Sequence, residues 1–246
     1  MWSPNSRESE TPFFRLFAAV ATSSGKRRRW LWKEKALDGI DGSAWSPSLA
    51  RMMDLMIWLA LGYLLGSIPF GLIGAKLGGA GDIRTIGSGN IGSTNVLRTG
   101  RKGLAAATLL LDAGKGFLAV WLATGLGGEA AGLAAGAAAF FGHCYPVWLG
   151  FKGGKGVATL LGVSFGLLPW AGLAFALAWL GAAVTTRQSS LGGMAGGFAA
   201  TIAAVALGKF AIAAVLLGLS LWVLWTHREN VARLRAGTEP KIGQKT

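Results

Sequence analysis

Charge is what this chain most lacks. Only 14% of its 246 residues are Asp, Glu, Lys or Arg, and just 11 of them are acidic. A soluble domain carries about a quarter charged residues, so too few groups face water here for a soluble fold. Cysteine is nearly absent. Cys144 is the single one, which excludes an intramolecular disulfide, and no Cys/His cluster suggests a metal site. It reads as a small packing residue. Asp82, Asp112, Glu229 and Glu239 are too scattered along the chain for an acidic metal cluster, which argues against a metal-dependent lipid phosphotransferase. No secretory signal is present either. The apolar stretch at Phe13–Ala21 is interrupted by Arg15 and precedes the basic run KRRRWLWKEK at 26–35, the reverse of the signal-peptide order.

What is abundant is apolar. Hydrophobic residues make up 52% of the chain, with 39 glycines and 11 tryptophans, and the mean hydropathy is +0.48. Glycine and tryptophan are both common in membrane helices and their interfaces. The net charge of +13 raises the possibility of nucleic acid. The basic residues sit between apolar stretches, however, with no soluble basic face for a duplex, so no nucleic-acid partner is expected.

Two regions are distinguished. Residues 1–51 hold nine Lys/Arg and five Asp/Glu and read as a disordered extension. From 52 to 246, apolar stretches fall at about 55–75, 104–124, 130–149, 157–168, 170–186, 191–207 and 209–226. Seven crossings with the C-terminus inside put eight Lys/Arg in the inside loops and five more in the C-terminal tail, leaving only Lys209 in an outside connection. Merging 157–184 into one bent crossing would put Arg187 and the basic tail outside, against the positive-inside rule, so seven crossings, or six plus a re-entrant pair of the same parity, are expected. Asp112 and Lys115, one turn apart inside the second helix, are expected to form an intramembrane ion pair. GxxxG spacing at Gly62/Gly66, Gly74/Gly78, Gly132/Gly136 and Gly192/Gly196 allows close helix contact in lipid.

Three inside segments are polar against this background. GDIRTIGSGNIGSTNVLRTGRKG, from Gly81 to Gly103, gathers Ser88, Asn90 and Asn95 among glycines, with Arg84 and Arg98 on either side. Such a set supplies donors for an anion and lets the backbone approach it. GFKGGKGVAT, from Gly150 to Thr159, is a glycine-rich loop entering a helix near Val157, with Lys152 and Lys155 beside Gly153, Gly154 and Gly156. A helix N-terminus and basic loop suit phosphate, although the Walker A spacing is missing. The same two lysines would also serve as interfacial anchors. THRENVARLRAGTEPKI, from Thr226 to Ile242, places His227 and Asn230 on one helical face, where they could hold a hydroxyl and a phosphoryl oxygen together; a basic tail that enforces topology is the plainer alternative. His143, in GHCYP, reads as structural. All three segments lie on one side of the membrane, which points to a single polycationic pocket at the lipid boundary. A transporter would be expected to place its polar groups near the midplane instead.

The segments GSGNIGSTNVLR, GHCYPVWLGFKGGKGVAT and HRENVARLRAGTE, with GYLLGSIPFG and LDAGKG, closely resemble the signature regions of the acyl-phosphate:glycerol-3-phosphate acyltransferases, the PlsY family. The resemblance spans about 53–246. It implies an all-α, seven-helix enzyme of the bacterial inner membrane, N-terminus outside, with its active site on the cytoplasmic face. The implied reaction moves a fatty acyl chain from acyl phosphate to the 1-hydroxyl of glycerol 3-phosphate, giving lysophosphatidic acid and phosphate, with no metal or cofactor. Ser88, Arg98, His227 and Asn230 match catalytic positions. Lys152, Gly153, Gly154, Lys155, Gly156, Asn90, Asn95 and Ser190 are the expected substrate-binding residues. Ser93 stands where alanine is usual, and Gly193 where a second serine often lies three residues after Ser190, so a hydroxyl role in that loop is weakened. No Ser-His-Asp arrangement is apparent, and no acyl-enzyme is expected. With an outside N-terminus, the KRRR run would have to cross the membrane, so Met52 or Met53 is the expected native start.

Overall fold

Apolar periodicity is satisfied here by helices alone. The computed structural model describes residues 47–244, and among these the chain forms nine α-helices, two 3₁₀ turns and no strand. In order they are α1 (Pro47–Gly66), α2 (Phe70–Leu77), α3 (Ser93–Arg98), α4 (Lys102–Cys144), α5 (Val157–Leu167), α6 (Pro169–Thr186), α7 (Ser189–Ala206), α8 (Phe210–Thr226) and α9 (Arg228–Arg235), with 3₁₀ turns at Ile83–Thr85 and Val147–Leu149. Helix α1 starts at Pro47, five residues ahead of the boundary drawn at 52. The rest of the proposed extension, KRRR included, lies outside the described residues.

Among the described residues, four stretches are long and apolar enough to span a membrane: Arg51–Leu77, Lys102–Leu149, Pro169–Thr186 and Ser189–Ala206. A fifth is reached if Phe210–Thr226 and Arg228–Arg235, bent by 62°, count as one. The apolar stretch expected at 55–75 is not a single helix. It breaks at Ser67–Pro69, because Pro69 has no N–H to give the Leu65 carbonyl, and Lys115 Nζ donates to the Ile68 carbonyl at 2.8 Å alongside the Phe70 amide.

Helix α4 contains its own reversal. Gly128 sits at φ +83°, ψ −176°, a conformation that side-chain-bearing residues avoid. Across it Thr124 meets Gly132, and Val120 meets Gly136. In a continuous helix those pairs would stand about 12 and 24 Å apart, so 102–127 and 129–144 form an antiparallel hairpin. At Pro169 the chain likewise gives two helices, α5 and α6, separated by the extended Leu168 (φ −156°, ψ 106°).

Backbone contact holds the bundle together. Gly62 and Gly66 lie directly on the backbone of Ala135 and Ala139, leaving no room for a Cβ. Gly162 packs in the same way on Ala113. Lipid offers no hydrophobic drive between helices, so van der Waals contact at such spacings supplies the association energy. Of the other GxxxG pairs, Gly192 and Gly196 receive the rings of Trp179 and Phe175, and Gly74 meets Leu104. The main core joins Val120, Phe140, Leu160, Val163, Phe175, Leu216 and Val223 from four helices, α4, α5, α6 and α8. Leu110, Leu126, Val184, Ile202 and Phe210 point outward, as a lipid-facing surface requires.

Candidate active site

A smaller apolar cluster (Leu72, Ala75, Ile83, Ile91, Val96 and Ala105) supports the first polar segment from below. On it the Gly81–Gly103 segment folds back rather than running as a plain connector. Asp82 caps the 3₁₀ turn through the Arg84 amide and pairs with the Arg84 side chain at 2.6 Å. That pairing holds the Asp82 carboxyl down at about 2 and uses up Arg84. Asn95, at 2% exposure, is the hub. Its Oδ1 accepts from the Ser88 amide (3.2 Å), the Ser88 hydroxyl (3.4 Å) and Arg98 Nη1 (3.2 Å), while its Nδ2 donates to the Ile83 carbonyl at 2.7 Å. Asn95 thus holds Ser88 and Arg98 in place, and its side chain is committed within the protein. Asn90 accepts the Gly92 amide at 2.9 Å, closing the turn before α3.

The second segment is anchored by its own preceding helix. The amides of Gly153 and Gly154 donate to the carbonyls of Cys144 and His143, both at 3.0 Å. In this structure the Gly153 and Gly154 amides thus satisfy the end of α4. Lys152 is exposed. None of these three residues reaches the cavity described below. Lys155, Gly156, Val157 and Ala158 do. Gly156 takes φ +87°, and its Cα abuts the Phe140 ring so closely that a Cβ would collide with it. The turn into α5 therefore requires glycine twice over.

The third segment closes the site. His227 and Asn230 are both buried. Lys155 Nζ donates to Asn230 Oδ1, and Thr226 Oγ1 donates to the Lys155 carbonyl at 3.1 Å, so the phosphate-type loop and the last helix are tied together. His227 Nδ1 lies 2.8 Å from the Val223 carbonyl. A carbonyl can only accept, which assigns the proton to Nδ1 and leaves Nε2 as the acceptor. Burial pushes His227 down to about 4, with Lys155 and Arg233 adding to the effect. The imidazole is therefore neutral.

Glu239, considered at the sequence level only as a metal ligand, is the organiser of this end. Its Oε1 accepts from Ser190 Oγ at 2.7 Å and Asn230 Nδ2 at 2.6 Å, and its Oε2 from Arg233 Nε at 2.8 Å. Burial alone would raise the carboxyl, but these three donors hold it below its ordinary value. Its position inside HRENVARLRAGTE was the available signal. Ser190, the weakest of the sequence assignments, is thereby fixed at the cavity wall. Gly193 packs against Val157 so tightly that a serine there would overlap it.

Ser88, Asn90, Asn95, Arg98, Lys155, Gly156, Ser190, His227 and Asn230 all line one cavity of about 620 Å³, which Arg233 and Glu239 also share. Arg233 is paired with Glu239. Among the described residues, Arg98 and Lys155 have no carboxylate within ion-pair distance. Burial, reinforced by Arg233, pulls both below their ordinary values, and an anion between them would relieve that strain. Among the described residues, no three His, Cys, Asp or Glu side chains gather as a metal site.

The family model for glycerol-3-phosphate acyltransferase matches residues 56–237. The chain belongs to the PlsY family of glycerol-3-phosphate acyltransferases. It is 58% identical over 201 residues to the glycerol-3-phosphate acyltransferase of Methylorubrum populi, covering 81% of this chain and 99% of that one. It is also 58% identical over 202 residues to that of Agrobacterium fabrum, with 81% and 95% covered. Two crystal structures of PlsY, an integral membrane glycerol 3-phosphate acyltransferase, share the fold. The glycerol 3-phosphate form gives a TM-score of 0.73 at 38% identity, covering 77% of this chain and 96% of that one. The lysophosphatidic acid form gives 0.71 at 36%, with 77% and 95% covered. At this level the chain is an integral membrane acyltransferase acting on glycerol 3-phosphate.

Proposed function

We propose that this acyltransferase takes its acyl group from acyl phosphate and esterifies the 1-hydroxyl of glycerol 3-phosphate at the cytoplasmic face of the bacterial inner membrane. The observation that carries the donor assignment is the unpaired charge of Arg98 and Lys155 in one cavity with His227 and Asn230. Two phosphate-bearing substrates repel each other, and two half-buried cations with no carboxylate at ion-pair distance among the described residues offset that repulsion. Each charge-assisted hydrogen bond is worth about 1.5–3 kcal/mol.

In the reaction, the 1-hydroxyl oxygen attacks the acyl carbonyl carbon. The new ester C–O bond forms as the anhydride C–O bond breaks, and the electron pair leaves with phosphate. The hydroxyl proton passes to a phosphate oxygen. Neutral His227, its Nδ1–H committed to Val223, offers Nε2 to accept the hydroxyl hydrogen bond and orient the attacking oxygen. Ser88, held by Asn95, faces the same cavity as a neutral donor. A mixed anhydride is already activated, so positioning and charge neutralisation carry the catalysis.

For the topology, we read α1–α2, 102–127, 129–144, α5, α6, α7 and α8 as seven crossings, N-terminus outside. The hairpin at Gly128 and the break at Leu168 support that count, as does the basic character of every inside connection. Helix α5 has only 11 residues and rises about 16 Å. Its start at Val157 therefore lies below the membrane surface, where the cavity floor would receive the headgroup end of an acyl substrate.

The test is an acyl-transfer assay on purified protein with glycerol 3-phosphate and no added metal. Palmitoyl phosphate should yield lysophosphatidic acid. Equal or better turnover with palmitoyl-CoA overturns the donor assignment.

A further inference from the structure

A second charged cluster borders the same cavity, where Asp112 and His143 contribute to the lining. Asp112, Lys115 and His143 are exposed by only 2, 3 and 4%. Lys115 Nζ is 2.7 Å from Asp112 Oδ1, and His143 Nδ1 approaches the same oxygen at 3.5 Å. Neither His143 Nδ1 nor Asp112 Oδ1 makes a well-aligned hydrogen bond among the described residues, and what faces this side of the imidazole is the carboxylate, as an electrostatic contact. The opposite edge of the ring, at Nε2, presses on the Cα of Gly154, where a Cβ would collide with it. The Gly154 amide is also bonded to the His143 carbonyl at 3.0 Å, and the next residue is Lys155.

We infer that Asp112 and His143 are positioning residues for this reaction: Asp112 fixes the tilt of the His143 ring, and the ring edge sets where Gly154, and so Lys155, stands in the cavity. The inference rests on the phosphate role proposed for Lys155. Lys115 balances the carboxylate and anchors it to the Ile68 carbonyl, so the assembly bears on the loop through shape and not through net charge. A loop whose neighbours on one side are glycines has no side chains of its own to define its height. A buried aromatic wedge supplies that definition from beneath.

The geometry makes a reciprocal prediction. His143→Asn keeps an N–H donor near the Nδ1 position but removes the ring edge, leaving a gap under Gly154. Gly154→Ala keeps the ring but drives the loop off it. Each single change should raise KM for glycerol 3-phosphate about tenfold and alter kcat by less than about threefold, because the error lies in placing an anion contact. The double variant fills the gap with the added methyl and should recover KM to within about threefold of wild type. If Gly154→Ala fails to fold, restoration of folded, active protein by His143→Asn is the supporting result. A double variant no better than the worse single one overturns the inference, as does a loss of kcat and thermal stability in His143→Asn with KM unchanged. Wild-type protein inactive with palmitoyl phosphate would sink the donor assignment instead, so the two failures are separable.

Discussion

Among the described residues two polar clusters border the cavity, and they differ in what becomes of their charge. In Asp112–Lys115–His143 the one carboxylate meets the one ammonium at 2.7 Å, and the ammonium also donates to a main-chain carbonyl. The charges of this pair are balanced within the protein. Around the cavity, Glu239 satisfies Arg233, Ser190 and Asn230, while Arg98 and Lys155 keep their charge for something that comes from outside. Burying a charge in a bundle is costly in either place. In the proposed mechanism the first cluster recovers that cost when the protein folds and the second when it binds substrate. An uncompensated buried charge therefore separates a site from a strut better than polarity does.

The contrast is broken most severely at Asp112. Asp112→Asn leaves the Lys115 ammonium buried and unpaired, which should cost about 3–5 kcal/mol of stability. It should show as a large drop in the thermal midpoint in detergent. Asp112→Asn with Lys115→Met removes both charges and should regain most of the loss. If the single variant unfolds at the wild-type temperature, the pair is not the internal balance described here.

At the other cluster the same operation should leave the fold alone. Lys155→Met removes a charge that the folded protein does not itself neutralise. The expected result is a loss of kcat/KM of about 10²-fold, from one or two charge-assisted contacts, with an unfolding midpoint equal to or above wild type. A variant that unfolds easily yet retains activity once folded would erase the distinction between the clusters.

Glu239 stands between the two, structural in its bonds yet placed at the cavity. Glu239→Gln keeps the size but presents an amide donor where Arg233 also donates, and kcat/KM should fall about tenfold. A carboxylate whose pKa is lowered in the folded state stabilises the fold above its ordinary unfolded value, and that contribution is lost as pH falls through the lowered value. The midpoint difference between wild type and Glu239→Gln should be full at pH 7 and vanish in acid below the ordinary carboxylate range. A pH-independent difference would mean that Glu239 acts through packing alone.

These clusters were unequally visible in the sequence. The helices were legible because apolar runs, Pro169 and the glycine pairs carry local signals, and the Asp112–Lys115 pair followed from spacing alone. The break at Ser67–Pro69 was hidden inside an apolar run, because its cost is met by Lys115 from another helix. Lys152, Gly153 and Gly154 were assigned to substrate because a glycine-rich loop before a helix suggests free amides; the return of that loop onto the carbonyls of His143 and Cys144 is a tertiary fact. Asn95 looked like a ligand group but is spent on Ser88, Arg98 and Ile83. Glu239 was passed over because its three partners come from α7 and α9, and spacing along the chain shows only one of those helices.

The smallest effect is expected at His227, and it sharpens the contrast most finely. Its Nδ1–H is held by Val223 at 2.8 Å, and burial pushes it down to about 4. A histidine lowered from about 6.5 stays neutral in the native protein through the working range, and its contribution to stability is lost as pH falls from about 6.5 towards 4. As a base at pH 7 it has little proton affinity to offer, whereas as an oriented acceptor it is in the right state at once. His227→Gln keeps hydrogen-bonding ability near Nε2 and cannot act as a base. If orientation dominates, this variant should raise KM for glycerol 3-phosphate about five- to tenfold and keep most of kcat. Its pH–rate profile should overlay wild type between pH 6 and 8, while His227→Ala loses far more activity. A fall in kcat of about 10²–10⁴ for His227→Gln with KM unchanged, and with a wild-type limb near 6.5 abolished, would establish His227 as the general base and place its proton among the reacting atoms.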